Sequence, residues 1–379
     1  SSSPTIVNIN GYFDGGPLVA TGAGAQINVN ADSVRVNMTA DDSAAIAVSG
    51  HRLDDDLVAT ANGGSALLQD DYFVSAIFVS DSDDATQISG VSTLDGTAYV
   101  TRISGDVSLA ADSSTTVIGD LNLFGVLSVE QPSWGGSTYL YIQGSVTLSG
   151  GGTLTMDEMG YGVWIAGVDG WGSTLTNSDA TIDGVGNIGD YSSSLTFVNQ
   201  ATVTADVAYN GLTISTGNEI VNSGTMTANA EGALLQLFDQ VDNTGGVIEA
   251  LQGQVIANDL ITGGSLTADG PDAVVTTSGG ASGVDIAALN RGTVQITGGT
   301  VSGSTLTASG DGSTIQISNG YSGFSGIVDT TLATSAGGLI SVSSGSFTNV
   351  SIQAGAQVLV QDGGALVFLA LPQSPTETN

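Results

Sequence analysis

Two acidic turns in the first third of the chain carry residue types that bind calcium. The Asp residues concerned are Asp54, Asp55 and Asp56 in one turn and Asp81, Asp83 and Asp84 in the other. Carboxylate and carbonyl oxygens are the ligands that Ca²⁺ takes in proteins, and clustered Asp residues can supply several of them. The tandem Gly-Gly-x-Gly-x-Asp pattern of calcium-binding coils is absent, and its nearest relative is the run 279–285. Solvated turns are the simpler interpretation, with calcium binding as the alternative.

A group of aromatic residues between positions 134 and 171 has the chemistry to bind sugars. Its members are Trp134, Tyr139, Tyr141, Tyr161, Trp164 and Trp171. Aromatic faces stack on sugar rings, while the Tyr hydroxyl and the Trp indole N–H can bond sugar hydroxyls. Tyr139 and Tyr141 are two positions apart on a predicted strand, so one face of that strand carries both rings. We interpret the group either as a glycan-binding platform or as packing in a wider part of the core.

Pairs of acidic residues raise the question of glycoside hydrolysis, which needs two carboxylates about 5–9 Å apart. The pairs are Asp41–Asp42 and Asp157–Glu158, but neighbouring residues on a strand point to opposite sides. The single His of the chain, His51, stands beside Arg52 and next to an acidic turn, and there is no Lys that could serve as a base. We therefore expect no catalytic residue and no enzymatic activity.

The charge of the chain is strongly negative. Four Arg and no Lys face 37 acidic residues, which gives a formal net charge of -33. Nucleic acids and anionic membranes bind cationic surfaces, so neither is an expected partner. No apolar run approaches the ~20 residues that span a bilayer, so we expect no membrane insertion. The absence of Cys excludes disulfides and thiol chemistry.

A recurring phrase identifies the elements that must position these residues. It consists of a turn residue, one or two Gly, and a short alternating strand that ends near Ala-Asp or Ala-Asn. The copies are 199–206, 222–229 and 243–250, with a looser one at 262–269. Their start positions differ by 23, 21 and 19 residues. A period near 20 is typical of a solenoid, in which each unit buries its apolar face against the next.

Alternation of apolar and polar residues predicts the strands directly. Clear examples follow a Gly in the runs 292–296, 312–317, 338–342 and 355–360, and the run 73–79 also reads as one strand. No segment has the apolar spacing of a helix. At about 21 residues per coil, the chain is predicted to be all-β, a parallel β-helix (β-solenoid) of roughly 18 coils.

Composition divides the predicted solenoid into three zones. Residues 1–120 are rich in Asp and form acidic N-terminal coils or a cap, whereas residues 121–190 form coils that bear the aromatic group. Residues 191–379 have the most regular repeats and end in a C-terminal cap or tail. The apolar run 365–371 is predicted to be either a cap or a stacking surface.

The residues 174–189, the run 195–200 and the Asn-x-Gly-Thr units that follow carry a family resemblance. Over about 145–270, and more weakly to 368, the chain resembles the β-strand-repeat (β-solenoid) regions of large secreted bacterial surface proteins. These include autotransporter passengers, haemagglutinin-like proteins and type-I-secreted adhesins. The resemblance implies a solenoid fold and an extracellular or cell-surface location, and it implies no catalytic residue.

These patterns lead us to expect a non-catalytic structural or adhesive protein, a stiff rod that self-associates into a filament or layer. Surface glycans are the expected outside partner, and no cofactor is required, although the acidic turns could hold calcium. The alternative is a carbohydrate-active β-helix, such as a tailspike-type polysaccharide hydrolase or lyase. A long cleft that gathers carboxylates, an Arg and aromatic rings would favour the alternative.

Overall fold

The computed structural model describes residues 5–81, 84–157, 162–170, 172–191, 195–318, 324–343 and 345–360, apart from the side chains of residues 324 and 325. The regular structure of these residues is entirely β-strand. They form two compact units, one over Ser1–Ile220 and one over Val221–Asn379. The apolar run 365–371, which we expected to be a cap or a stacking surface, lies outside the described residues.

The first unit contains 25 complete strands among its described residues. In chain order they are β1 Ile6–Ile9, β2 Phe13–Thr21, β3 Gln26–Val29, β4 Ser33–Asp41, β5 Ala45–Ser49, β6 Arg52–Asp54, β7 Leu57–Ala61, β8 Ser65–Gln69, β9 Tyr72–Val74, β10 Ile77–Ser80, β11 Ala85–Ser89, β12 Val91–Ser104, β13 Asp106–Leu109, β14 Ser114–Leu123, β15 Val126–Val129, β16 Thr138–Gln143, β17 Ser145–Ser149, β18 Thr153–Met156, β19 Val163–Gly167, β20 Thr174–Asn177, β21 Thr181–Gly184, β22 Gly186–Ile188, β23 Thr196–Asn199, β24 Thr202–Ala205 and β25 Gly211–Ile214.

The second unit continues the same pattern after β26 Ile220–Asn222, which falls at the boundary. Its strands are β27 Thr225–Ala228, β28 Leu234–Leu237, β29 Val241–Asp242, β30 Val247–Ala250, β31 Gln254–Ala257, β32 Ile261–Thr262, β33 Ser265–Asp269, β34 Val274–Thr277, β35 Gly280–Ser282, β36 Asp285–Leu289, β37 Thr293–Ile296, β38 Gly299–Ser302, β39 Thr305–Ser309, β40 Thr314–Ile317, β41 Phe324–Val328, β42 Thr331–Ser335, β43 Leu339–Val342, β44 Phe347–Thr348, β45 Ser351–Ile352 and β46 Val358–Val360.

Each turn of the solenoid contains three strands. Equivalent strands of successive turns pair in parallel, so each unit has three faces. In the first unit, the first face runs β1, β3, β5, β8, β11, β13, β15, β18, β21 and β24. The second face includes β6, β9, β16, β19, β22 and β25. The third includes β7, β10, β17, β20 and β23. The long strands β2, β4, β12 and β14 bend from the second face into the third.

The predicted parallel β-solenoid is confirmed, with about 17 turns instead of roughly 18. Residues in register lie 20 positions apart between β1 and β3, where Ile6 pairs with Gln26. The spacing rises to 25 between β14 and β16 and to 28 between β18 and β21. Loops between strands lengthen these middle turns, and the same chain length therefore makes fewer of them.

The strand patterns form because alternate side chains point into one apolar interior. On the first face, Leu127, Leu154 and Ile182 are register partners in successive turns, and each is fully buried. Burying an aliphatic side chain of this size contributes roughly 1.5–3 kcal/mol. Because each turn adds one buried residue to this column, the stability of the fold comes from many equivalent contacts between neighbouring turns.

Corners between faces depend on residues that allow a sharp change of direction. At the end of β21, Gly184 has a φ of 100°, and a Cβ there would lie 1.8 Å from the Met156 carbonyl oxygen of the previous turn. Only glycine fits such a position. The predicted single strand over 73–79 is interrupted by another corner at Ser75, whose φ is 54°. The structure therefore has two strands there, β9 and β10. Phe73 and Phe78 both point inward although they are five positions apart, because the bend shifts the alternation by one residue.

The Asn residues of the repeated phrase close the corner after the third face. In the first unit, Asn177 Nδ2 donates to Asn199 Oδ1 at 3.0 Å, and both side chains are buried. In the second unit, Asn222 Nδ2 donates to Asn243 Oδ1 at 2.7 Å, and Asn243 Nδ2 donates to the Gly246 carbonyl at 3.2 Å. The phrase is therefore structural, because it satisfies backbone groups that a buried turn would otherwise leave unpaired.

Candidate functional site

The second face of the first unit brings three of the predicted aromatic residues together. Tyr139 and Tyr141 lie on β16, and Trp164 lies on β19 opposite Tyr139 in the strand register. The intervening Leu140 points inward and is fully buried, as is Ile165 next to Trp164. Strand alternation therefore places all three rings on the outer side of the solenoid, where they are half-buried.

The three rings form a continuous stack, which we call the aromatic stack (Tyr139, Tyr141 and Trp164). The ring centroids of Tyr139 and Tyr141 are 4.9 Å apart, and the two planes differ by 2°. Those of Tyr139 and Trp164 are 6.4 Å apart, with planes that differ by 19°. Tyr139 is the middle ring, so the ring faces left for a ligand are those of Tyr141 and Trp164 that point away from it. The rings pack on one another, but they do so outside the core. The structure therefore does not decide between a glycan-binding platform and a packing role.

The negative charges of two carboxylates, Asp169 and Asp190, act on the aromatic stack. The pKa of the Tyr141 hydroxyl is raised. Burial is the largest cause, and electrostatic interactions with Tyr139, Asp190 and Asp169 add to it. Tyr141 therefore keeps its proton at neutral pH and can donate a hydrogen bond. A stacked ring surface beside hydroxyl donors and carboxylate acceptors has the groups that sugar recognition requires.

Trp134 lies apart from this stack, in the loop between β15 and β16. Its side chain is fully exposed. The loop is held by Gln131, whose backbone N–H donates to Asp157 Oδ2 at 2.7 Å, and by Ser133, whose hydroxyl donates to Asp112. Residues 131–135, with Trp134 among them, line a shallow cavity of about 410 Å³. Trp134 therefore does not fill the core, and it makes no ring contact with another described aromatic residue. Tyr161 and Trp171, the other two predicted platform residues, lie outside the described residues.

The first predicted calcium turn holds three Asp side chains in different environments. Asp54 lies 3.0 Å from Arg52 Nε, and Asp55 is exposed. Asp56 is fully buried and accepts hydrogen bonds from the Ser33 hydroxyl and, at 2.7 Å, from the Val36 backbone N–H. Burial raises the pKa of Asp56 to about 6.

In the second predicted calcium turn, Asp84 bonds to the backbone. It accepts from the Gly63 N–H at 2.7 Å and from the Asp81 N–H at 3.1 Å, and Asp83 lies outside the described residues. Over the described part of the chain, no group of three or more His, Asp or Glu side chains is arranged to hold a metal ion. Calcium binding at these turns stays a prediction.

The acidic and basic residues considered for catalysis lie at different corners. Asp41, at the end of β4, accepts from Asn62 Nδ2 at 2.7 Å. His51 Nδ1 lies 3.3 Å from Asp32 Oδ1, just before β6. The pKa of Asp32 is lowered, mainly by the hydrogen bond from the Arg52 backbone N–H and to a smaller extent by His51. Asp157 is described but its neighbour Glu158 is not, so the second acidic pair is only half visible.

Another group on the second face was not singled out from the sequence. The Arg52 guanidinium lies over the Tyr72 ring, 5.1 Å from its centroid, and the Tyr72 hydroxyl donates to Asp95 Oδ2 at 2.7 Å. The register runs from Tyr72 through Thr93 and Thr116 to Tyr141. Tyr72 is thus three turns from the aromatic stack, or about 14 Å at the ordinary strand spacing. The only sequence signal for this group is that its residues take outward positions on successive strands. That signal is hard to see in the sequence, because the turns differ in length.

No protein-family model matches the chain, and no curated protein matches its sequence. Among the described residues there is no helix long and apolar enough to cross a membrane.

Proposed function

We propose that this chain is a non-catalytic structural and adhesive protein of a bacterial cell surface, a stiff β-solenoid whose aromatic stack binds sugar rings. The observation that carries the proposal is the alignment of Tyr141, Tyr139 and Trp164 in one stack on an outer face. Its cell-surface location is supported by the resemblance of residues 145–270 to the β-strand repeats of secreted adhesins and autotransporter passengers.

The chemistry of the stack supports binding to sugars. The C–H face of a sugar ring packs on an aromatic ring, and neighbouring hydroxyls bond to polar groups at its edge. The outward face of Trp164 offers such a ring surface, and Tyr141 offers a protonated hydroxyl. The strands beneath are fixed by backbone hydrogen bonds on both sides, so the rings are held in place before a ligand arrives.

The solenoid backbone supports a mechanical role. Parallel strands bond turn to turn in each unit, and a column of buried aliphatic residues runs under each face. Self-association into a filament or layer is part of the proposal, with a second copy of the chain as partner. It is supported by the parallel stacking itself, because the backbone groups that pair one turn with the next can pair in the same way with a strand of another copy.

The glycan proposal predicts that Trp164→Ala and Tyr141→Ala, which remove the two rings with a free face, weaken glycan binding without unfolding the protein. Each lost ring should cost about two- to tenfold in affinity, because aromatic stacking contributes about 0.5–1.5 kcal/mol. A glycan array identifies the ligand, and calorimetry with the best glycan measures the loss. Tyr12→Ala is the matched control, since Tyr12 is an exposed aromatic residue away from the stack. Unchanged affinity in both stack variants, or a chain that binds no glycan, would refute the platform.

The enzymatic alternative has one observation in its favour, which is that the charges of both Asp169 and Asp190 raise the pKa of Tyr141. Paired carboxylates beside a sugar-binding surface are what a glycoside hydrolase needs. The same purified protein should therefore be incubated with the glycan it binds, and new reducing ends should be measured. We expect none. Release of reducing ends that is lost in Asp190→Asn would replace the non-catalytic proposal with the enzymatic one.

A further inference from the structure

The strand β12 contains an insertion that no neighbouring strand shares. Its residue Gly96 pairs with Gly119 of β14, a spacing of 23, but Thr101 pairs with Leu121, a spacing of 20. Three extra residues are therefore accommodated within 97–100, and all four side chains there are exposed. Bulges of this kind turn a side chain away from the regular strand direction and are common beside binding sites.

Hydrogen bonds hold the bulge in one conformation. The Thr97 backbone N–H and hydroxyl both donate to Asp95 Oδ1, at 3.0 and 2.6 Å. The Tyr99 backbone N–H donates to the Ser75 hydroxyl of the previous turn at 3.0 Å. The Tyr99 ring itself is 72% exposed. The chain thus fixes the backbone of the bulge and leaves its aromatic side chain facing solvent.

The bulge forms one wall of an open cleft of about 520 Å³, which we call the bulge cleft. Its lining combines an aromatic ring, apolar side chains, a cation, an amide and a carboxylate. The residues concerned are Tyr99, Ile77, Val100, Arg102, Asn122 and Asp55. This mixture of an aromatic wall and a few polar groups is typical of sites for small polar ligands.

Arg102 is an unusual cation in this molecule. Arg35 lies 2.7 Å from Asp14, and Arg52 lies 3.0 Å from Asp54, but Arg102 forms no ion pair with any described residue. Its guanidinium lies over the Phe124 ring, 5.2 Å from the centroid, which orients it without neutralising it. In a chain of net charge -33, such an Arg is a local site where an anion is attracted rather than repelled.

Asn122 supplies a second donor beside Arg102. The two residues are register partners on adjacent turns, so their side chains leave the face side by side. The Ser149 hydroxyl donates to Asn122 Oδ1, which leaves the Nδ2 group directed elsewhere as a donor. A guanidinium and an amide at this spacing can hold the two oxygens of one carboxylate or sulfate.

We propose that the bulge cleft binds an anionic sugar, a ring that carries a carboxylate or a sulfate ester. Arg102 and Asn122 hold the oxyanion, and the Tyr99 ring covers the apolar face of the sugar. Asp55 accepts hydrogen bonds from ring hydroxyls on the uncharged side. This site uses no residue of the aromatic stack, so each of the two binding proposals can fail without the other.

The test is calorimetry of the full chain with three ligands, which are digalacturonate, its dimethyl ester and a sulfated galactose disaccharide. A chelator is present so that calcium cannot bridge the sugar to the protein. We expect the charged sugars to bind and Arg102→Gln to weaken them about tenfold or more, since hydrogen bonds to charged groups are the strong ones. Arg291→Gln is the matched control, because it removes the same charge from an Arg of the second unit that is also without an ion pair to a described residue. Tyr99→Ala, at an exposed position, should also weaken binding and does not threaten folding.

The outcomes separate the elements of the proposal. Preference for digalacturonate identifies the carboxylate as the bound oxyanion, and preference for the other charged sugar identifies the sulfate. Equal binding of the dimethyl ester, equal losses in Arg102→Gln and Arg291→Gln, or equally tight binding of acetate would each overturn the proposal. Tyr12→Ala, at an exposed aromatic position outside both sites, should leave uronate binding unchanged. A loss in Trp164→Ala as large as the loss in Arg102→Gln would assign the anionic sugar to the aromatic stack and overturn the proposal.

Discussion

Several Asp side chains bond to backbone amides one turn away, and this use of acidic residues could not be read from the sequence. Asp70 Oδ1 accepts from the Val91 N–H at 2.7 Å, Asp32 Oδ1 from the Arg52 N–H at 3.0 Å, and Asp206 Oδ1 from the Gly184 N–H at 3.2 Å. Partners some 20 residues apart meet only when the register between turns is known. The abundance of Asp therefore reflects, in part, the closing of corners.

Asp56 gives a prediction at this scale, the replacement Asp56→Asn. Burial raises its pKa from 3.8 to about 6, so the folded state binds this proton more tightly than the unfolded chain does. Stability from this group is thus present at low pH and is lost as pH rises from about 4 to about 6. Asn has the same shape and no charge, so the variant should lose part of this pH dependence, about 1–3 kcal/mol.

The measurement is the urea midpoint of wild type and Asp56→Asn at about pH 4 and about pH 7.5. Asp71 is also buried, with its pKa raised to about 6 by burial, so some pH dependence remains in the variant. Asp55→Asn, at the exposed neighbouring position, is the control and should behave as wild type. If the control flattens the pH profile as much as the variant does, burial of Asp56 is not the cause.

At the scale of the element, alternation in the sequence located strands well wherever one face is buried. The predicted runs 292–296, 312–317, 338–342 and 355–360 correspond to β37, β40, β43 and β46, which pair in succession along one face of the second unit. What alternation could not give is which strands are neighbours. The approach of Trp164 to Tyr139 depends on turns of 25 residues, and loop length is not fixed by the strand pattern.

The core column under β18 gives the prediction for an element. Leu154→Ala should destabilise the first unit by about 2–5 kcal/mol, because the side chain is fully buried between Leu127 and Ile182 and leaves a cavity. Thr153→Ala, on the outer side of the same strand, should change stability by only about 0.5 kcal/mol. Thermal and urea unfolding by circular dichroism measure both. Equal effects of the two substitutions would mean that the inward and outward sides of β18 are wrongly assigned.

At the scale of the whole molecule, the dominant property is its charge. Within the first unit, burial and then the charge of Asp206 raise the pKa of Asp183, and within the second unit, burial and then Asp269 do the same for Glu249. Like charges stacked at strand spacing repel by about 0.9 kcal/mol per pair in water. Composition alone predicted this repulsion, because a net charge of -33 has few cations to offset it.

Salt should therefore stabilise the protein. We expect the melting temperature to rise by several degrees between about 10 mM and about 300 mM NaCl, because screening weakens the repulsion between exposed carboxylates. At matched ionic strength, magnesium and calcium should act alike if screening is the whole effect. A rise specific to calcium that disappears in Asp84→Asn would instead support the predicted calcium turn, since Asp84 would then exchange its backbone partners for the ion. A melting temperature that falls with NaCl would mean that the ion pairs of Arg35 and Arg52 outweigh the repulsion between carboxylates. Two such pairs among the described residues, in a chain with 37 acidic residues, do not predict that result.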